Sequence, residues 1–425
     1  MKSWIASANV PDTHFPLQNL PYGVACVGNG KTVCVSVIGD LVVNLAALES
    51  AGLIVARQGN AVFDNPCLNE FMSLGKNVWQ QVREDLAGLL AQGGNAVLEN
   101  NAKLRQQVLE PMADVAMLLP FEVAEYTDFY AGMHHAKNMG AILRGSDELP
   151  ANWLHIPIGY NGRASSVVVS GRDIPRPLGQ RKPTGADVPE FGPTQRLDFE
   201  LELGAVVGTG NRLGQPVTMA EAEDMIFGYV LLNDWSARDI QSWEYQPLGP
   251  FQGKAFATTI SPWVVTTMAL EEFRCPVPAR IKEQLPYLKE SIPGLFDISL
   301  EVSLQPAEAD RATVISQTNY HHMYYSSAQQ LCHHAISGCK MNTGDLLGSG
   351  TVSGPLPGEL GSMMELGQAG REPLGLDTGQ TRSFIEDGDT ITLSGWAQGD
   401  GYKIGFGECT GKIIPAVEFE TQENV

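Results

Sequence analysis

No run of 18 apolar residues occurs in the chain; VCVSVIGDLVVNLAALESAGL is interrupted by Asp40, Asn44 and Glu49, so no membrane-spanning helix is predicted. The opening residues, MKSWIASANVPDTHF, contain one lysine and no apolar h-region, and do not read as a signal peptide. Basic residues are scarce: 28 Lys and Arg face 48 Asp and Glu, a formal net charge of -20. A phosphate backbone or an anionic membrane would be repelled, and no basic run interleaved with aromatics reverses this locally. The seven cysteines, at 26, 34, 67, 275, 332, 339 and 409, form no CxxC pair. That predicts reduced thiols in a cytoplasmic protein rather than a disulfide framework. HExxH motifs, Cys/His clusters and EF-hand loops are missing too, which leaves zinc and EF-hand calcium without support. Two nucleotide-motif near misses fail on chemistry. GFGECTGKI places Phe406 at the first P-loop glycine and Ile413 where a Mg-binding hydroxyl is required, and GSGTVSG (348–354) lacks dinucleotide-fingerprint spacing.

What remains is an ordinary globular composition, 43% hydrophobic and 18% charged over 425 residues, long enough for two domains around a sizeable core. TVCVSVIGDLVVNL reads as two strands about a Gly39-Asp40 turn. Phe71, Val78, Val82, Leu86 and Leu89 recur at helical spacing until Gly93-Gly94, and a second helix is predicted from Val97 to Glu110, stopped by Pro111. Near residue 120 this pattern gives way to strands punctuated by Gly and Pro, among them SSVVVSG, LDFELELGAVVG, FDISLEVSLQ and DTITLSGWAQ, with one further helix predicted over Tyr320 to Ile336. Strands do not alternate with helices at βαβ spacing, which argues against a doubly wound sheet and for a mainly β, α+β chain with units at 1–119 and 120–425.

RLDFELELG (196–204) is the first stretch with chemical content. Asp198, Glu200 and Glu202 alternate with Phe199, Leu201 and Leu203, so one strand face carries three carboxylates roughly 7 Å apart. Such a face is either a solvated edge or a platform for a hard cation. In NDWSARDIQSWEYQPLGP, Asp234, Arg238, Gln241 and Tyr245 fall at intervals of 4, 3 and 4, one stripe of a predicted helix ended by Pro247. A binding wall and a solvated face both fit that stripe. Asp128, in YTDFYAGMHHAKN, reads equally as a helix N-cap and as a functional acid. His134 and His135 are about 100° apart on a helix, so only one can face a site. The pairs His321-His322 and His333-His334 read as surface or packing histidines.

Taken in order, YTDFYAGMHHAKN, LRG, NWLHIPIGYNGRASSVVVSG, LDFELELG, NDWSARDIQSWEYQPLGPFQGKAFATTISPW, GDLLGSGTVSG, GSMMELG and GDGYKIGFGECTGK resemble the fumarylacetoacetase family along almost the whole chain. The resemblance implies a small SH3-like N-terminal barrel and a larger mixed β-sandwich roll that carries the catalytic site, usually as a homodimer. It implies a Ca²⁺ or Mg²⁺ site built from Asp128, Glu200, Glu202 and Asp234, with the Lys254 carbonyl and Thr258 also brought to a metal. Asp198 matches no family ligand. The implied reaction is hydrolysis of a carbon-carbon bond in a dicarboxylate β-diketone. His135 and Glu365 would activate water, while Arg238, Gln241 and Lys254 would stabilise developing negative charge. Tyr130, Arg144, Tyr160, Gln241, Tyr245 and Thr351 match the family's substrate contacts. Asn161 stands where the family commonly has His, and Ala255 and Ala257 in KAFATT replace the usual Ser and Gly. These departures touch pocket shape and leave the matched catalytic side chains in place.

The charge balance yields one expectation of its own. Duplex DNA should not be retained at micromolar protein in a low-salt filter-binding assay, where electrostatic attraction is strongest. Retention there would overturn this reading of the acidic surface.

Overall fold

The computed structural model describes residues 1–28 and 30–419. The expected hairpin forms from strands Thr32–Ile38 and Leu41–Asn44, turned at Gly39 and Asp40. It lies within a five-stranded antiparallel sheet ordered Leu109–Pro111, Leu41–Asn44, Thr32–Ile38, Tyr22–Cys26, Ala116–Leu118. Helix Lys76–Leu90 buries Val82, Leu86 and Leu89 of the predicted stripe together with Trp79 and Leu90, while Val78 is half-buried. Phe71 is not part of it. Gly75 adopts φ 85° and separates a short helix, Asn69–Met72, from the long one. The helix predicted from Val97 is also shorter, Ala102–Val108, because Asn101 caps it by accepting from the Leu104 N–H at 3.1 Å. Beyond it Leu109–Pro111 turns into an edge strand, where a proline costs no ladder bond.

The second half holds two large sheets. The first is eight-stranded and runs in the order Gly159–Asn161, Tyr126–Phe129, Leu346–Gly348, Leu201–Val207, Ile226–Asp234, Thr258–Ile260, Val167–Val169, with Val265–Thr266 pairing alongside Ile226–Asp234. It is mixed: Tyr126–Phe129 runs parallel to Leu346–Gly348, and Val167–Val169 parallel to Thr258–Ile260. The second sheet is ordered Thr313–Asn319, Ser299–Gln305, Thr390–Gly399, Tyr402–Ile414, Ile174–Pro175. Ser299–Gln305 alternates buried and half-buried residues, as a strand covered on one face does. Leu201–Val207 and Ile226–Asp234 are instead buried at every position. The reason is a core on each side. Leu203, Ala205, Val207, Tyr229 and Leu231 pack with the second sheet, whereas Val206, Val230 and Leu232 pack with Tyr22, Phe71 and Trp79 of the N-terminal half.

The helix predicted over Tyr320–Ile336 is split into a 3₁₀ turn at Tyr320–His322 and an α-helix at Ser327–Ala335. Ser326 and Gln329 form a capping box that starts the second piece afresh. All seven cysteines are free thiols, as expected. No helix among the described residues is long and apolar enough to cross a membrane.

Trp79 joins the two halves. It is 1% exposed, its ring lies 5.0 Å from that of Phe227 at 78°, and its Nε1–H donates to the Met72 carbonyl at 3.0 Å. Trp79→Ala should therefore cost about 3–5 kcal/mol of stability. A urea-unfolding midpoint unchanged from wild type would contradict this account of the seam.

Candidate metal centre and active site

Strand register brings the acids together. Gly348 pairs with Asp128 on one side and Gly204 on the other, and Glu202 pairs with Leu232 two residues before Asp234. Asp128, Glu202 and Asp234 are 3%, 0% and 1% exposed, and each offers an oxygen within 4.8 Å of the others. Asp128 is therefore a strand residue and not a helix cap. Asp128 Oδ1 and Glu202 Oε1 have no donor within hydrogen-bonding reach. Burial, reinforced by neighbouring charges, pushes the Asp128 and Glu202 carboxyls well above the usual carboxylate range. Buried, mutually repelling oxygens without donors fit a hard divalent cation held by this set. The room for it depends on Gly348, since a Cβ there would lie 2.6 Å from Asp128 Oδ1 and 2.9 Å from Glu202 Oε2.

Two cations, Lys254 and Arg238, balance part of this charge. Lys254 Nζ lies 2.5 Å from both Glu200 Oε2 and Asp234 Oδ2, and Arg238 Nη2 lies 2.7 Å from Glu200 Oε1, an ion pair that is not aligned as a hydrogen bond. Glu200 thus spends its oxygens on Lys254 and Arg238 and stands outside the converging triad. Burial opposes its charge, but Lys254, Arg238 and His135 outweigh that and hold its carboxyl far below the ordinary value. Thr258 Oγ1 donates to Asp234 Oδ1 at 3.5 Å and the Tyr160 hydroxyl to Asp234 Oδ2 at 3.3 Å. The predicted helical stripe is corrected here. Asp234 ends strand Ile226–Asp234, and the helix begins at Arg238 and runs to Glu244. Asp234 reaches Lys254 from the end of its strand and Arg238 reaches Glu200 from the start of its helix, so the two meet the cluster through different partners and not through one helical stripe. Within the helix, Arg238 Nη1 donates to Gln241 Oε1 at 3.3 Å.

Beside the acids, His135 Nδ1 lies 2.7 Å from Glu365 Oε2, and His135 Nε2 lies 3.8 Å from Glu200 Oε1. Glu365 is fully buried and also accepts from Asn138 Nδ2 at 2.9 Å, Ser353 Oγ at 2.9 Å and Ser362 Oγ at 2.8 Å. Burial works against its charge, yet His135 and these donors hold its carboxyl below the usual range. A carboxylate so held accepts the Nδ1–H and leaves Nε2 as the proton acceptor. His134 turns elsewhere, its ring 5.8 Å from that of His322. Tyr130 stands edge-on to His135 at 5.6 Å, and Thr351 is 2% exposed. Arg144 and Tyr245 are exposed and make no hydrogen bond or ion pair to the buried cluster. His333 and His334 bond to Tyr287 and Thr127, as packing histidines do.

Sequence reasoning missed Asn138, Ser353, Ser362 and Gly348. Ser353 and Ser362 bond a carboxylate close by in the chain, Gly348 ends a strand whose neighbours arrive from more than a hundred residues away, and only Asn138, in the HAKN tetrapeptide, carried a local signal.

Asp234→Asn and Gly348→Ala should each lower Ca²⁺ and Mg²⁺ affinity by about 10–100-fold, the first by removing a charged oxygen and the second by crowding two. Calorimetric titration of both variants checks this, and unchanged binding would remove the carboxylate triad as the ion's seat.

A family model described as Fumarylacetoacetase N-terminal matches residues 18–120, and one described as Fumarylacetoacetate (FAA) hydrolase C-terminal matches residues 125–414. The chain is 49% identical over 410 residues to the fumarylacetoacetase of Arabidopsis thaliana, a match covering 95% of this chain and 97% of that protein. It is 46% identical to the fumarylacetoacetase of Homo sapiens over 410 residues, covering 96% and 97%. The fold is shared with a solved fumarylacetoacetate hydrolase from psychrophilic Exiguobacterium antarcticum, at a TM-score of 0.52 and 16% identity over 93% of this chain and 99% of that one. Matched in both halves and over nearly its full length, the chain belongs to the fumarylacetoacetase family.

Proposed function

We propose that the protein hydrolyses the carbon-carbon bond of 4-fumarylacetoacetate to fumarate and acetoacetate, the closing step of tyrosine and phenylalanine (homogentisate) breakdown. The observation that carries this reading is the His135–Glu365 pair at 2.7 Å, set 3.8 Å from Glu200 at the edge of the buried acid cluster. A base poised beside a cation seat suits water attack on a chelated diketone, whereas a passive ion-binding module has no use for it.

Water gives a proton to His135 Nε2, and the hydroxide adds to the carbonyl carbon of the fumaryl side. The bond to the acetoacetate carbon then breaks, its electron pair leaving as an enolate that takes up a proton. Glu365 keeps the imidazole in the right tautomer and steadies its charged form without itself being protonated. Arg238, Gln241 and Lys254 supply donors where negative charge develops. Tyr130, Arg144, Tyr160, Gln241, Tyr245 and Thr351 are the proposed substrate contacts. Asp128, Glu202 and Asp234 would hold a Ca²⁺ or Mg²⁺ ion, with Glu200, the Lys254 carbonyl and Thr258 as further ligands. When bound, such an ion supplies Lewis acidity toward the diketone oxygens. We further assign residues 1–119 and 120–425 as the two domains of each protomer, and the protein as a cytoplasmic homodimer that engages neither nucleic acid nor membrane.

The direct test is loss of diketone absorbance with fumarylacetoacetate as substrate; no turnover in the presence of Ca²⁺ or Mg²⁺ would refute the assignment. His135→Ala should cut turnover by about 10²–10⁴-fold while leaving ion binding intact. Glu365→Gln should act on the same step, so the double variant loses little beyond the worse single. His134→Ala should stay close to wild type. If the His135 and Glu365 losses multiply, the pair does not work as one unit.

A further inference from the structure

Asp198, on the short strand Leu197–Asp198 that precedes Leu201–Val207, is the one acid of RLDFELELG without a part in the chemistry above. Its side chain is fully buried. Asp198 Oδ2 accepts from Arg238 Nε at 2.8 Å and from the Met364 N–H at 3.0 Å, and Asp198 Oδ1 accepts from the Met363 N–H at 2.7 Å. Met363 and Met364 open the short helix Met363–Leu366, whose third residue is Glu365. One carboxylate therefore grips the segment that carries Glu365 and, with its other side, the guanidinium.

The contacts close into a ring. Asp198 holds Arg238, Arg238 pairs with Glu200 at 2.7 Å, and Glu200 lies 3.8 Å from His135 Nε2. His135 bonds to Glu365 at 2.7 Å, and the Glu365 segment returns to Asp198. The base and the donor expected to meet the leaving group come from different elements, the helices Met133–Arg144 and Arg238–Glu244. Within this ring, Asp198 is the link that ties the base's partner to Arg238 without touching the triad of Asp128, Glu202 and Asp234.

We infer that Asp198 is a positioning residue that fixes the spacing between the His135–Glu365 base pair and Arg238. This inference rests on the reading of His135 as the base. It attributes to Asp198 an effect on turnover that operates through geometry, with substrate affinity and ion affinity left alone.

Asp198→Asn preserves the volume but sets an amide N–H against a Met363, Met364 or Arg238 N–H. In the holoenzyme it should lower kcat by about 10–100-fold, the cost of misplacing a reacting group by a fraction of an ångström to an ångström. KM should stay within about threefold, since ground-state binding is not touched. Ca²⁺ affinity by calorimetry should match wild type. Asp198→Ala, which sets no N–H against another, serves the same purpose if the Asn variant does not fold. An activity-free readout accompanies these rates: the downfield imidazole N–H proton resonance of His135, identified by its absence in His135→Gln. It should shift or broaden in the Asp198 variant. An unchanged kcat, an unchanged resonance, or a loss of Ca²⁺ affinity in step with the loss of kcat would each overturn the inference. If wild type itself does not consume fumarylacetoacetate, the proposed function fails, and the resonance alone still decides the role of Asp198.

Discussion

Everything at the site follows from concentrating like charge out of water. Asp128, Asp198, Glu200, Glu202 and Asp234 are all buried around two cations, Arg238 and Lys254. Removing a charge from water costs several kcal/mol unless partners replace the lost hydration. The cations satisfy Asp198, Glu200 and one oxygen of Asp234, and the excess negative charge converges on the triad. The structure therefore sorts its acids into two kinds. Those with fixed protein partners build the frame, and those with unmatched oxygens form a seat that only a small, highly charged, oxygen-loving ion fills well.

That sorting also separates the two chemical tasks. Glu365 takes four donors and has no oxygen left to offer an ion. It can only hold the imidazole. Asp128 and Glu202 each keep an oxygen without a donor, and no triad acid pairs with a histidine, so the triad is suited to an ion and not to proton handling through His135. Glu200 stands between the two groups, 3.8 Å from His135 Nε2 and bound to both cations. It keeps the proton-handling side and the ion-binding side in register while belonging wholly to neither.

Local periodicity made part of this legible. The alternation in RLDFELELG correctly separates the acids from Phe199, Leu201 and Leu203, which lie in the main core. The same logic failed for Asp234, because intervals of 4, 3 and 4 describe a helix only if the backbone is helical at both ends, and here a strand stops at Asp234. The helix from Val97 was overextended for a similar reason: Asn101 offers a better start than any apolar residue before it. His135 could be chosen over His134 from the motif it matches, and its ring does meet Glu365. The hydroxyls of Ser353 and Ser362 were beyond reach. Nothing in a local window tells a serine that bonds a carboxylate folded against it from one that faces solvent. Gly348 was equally silent, since its importance lies in the side chain it lacks and in two strands that arrive from elsewhere in the chain.

The two cores flanking strands Leu201–Val207 and Ile226–Asp234 have a consequence for how separable the halves of this molecule are. Val206, Phe227, Val230, Leu232, Ile260 and Leu346 lie on the face of the catalytic sheet that packs with the N-terminal half. That half is a wall of the catalytic sheet's own core and not an appended module. A catalytic half produced alone would present those six side chains to water as one contiguous apolar face, a surface that invites aggregation. Substitutions of the N-terminal residues that pack on this sheet, Tyr22, Phe71 and Trp79 among them, thus bear on the site, since the strands that aim Glu202 and Asp234 are only as firm as the wall behind them.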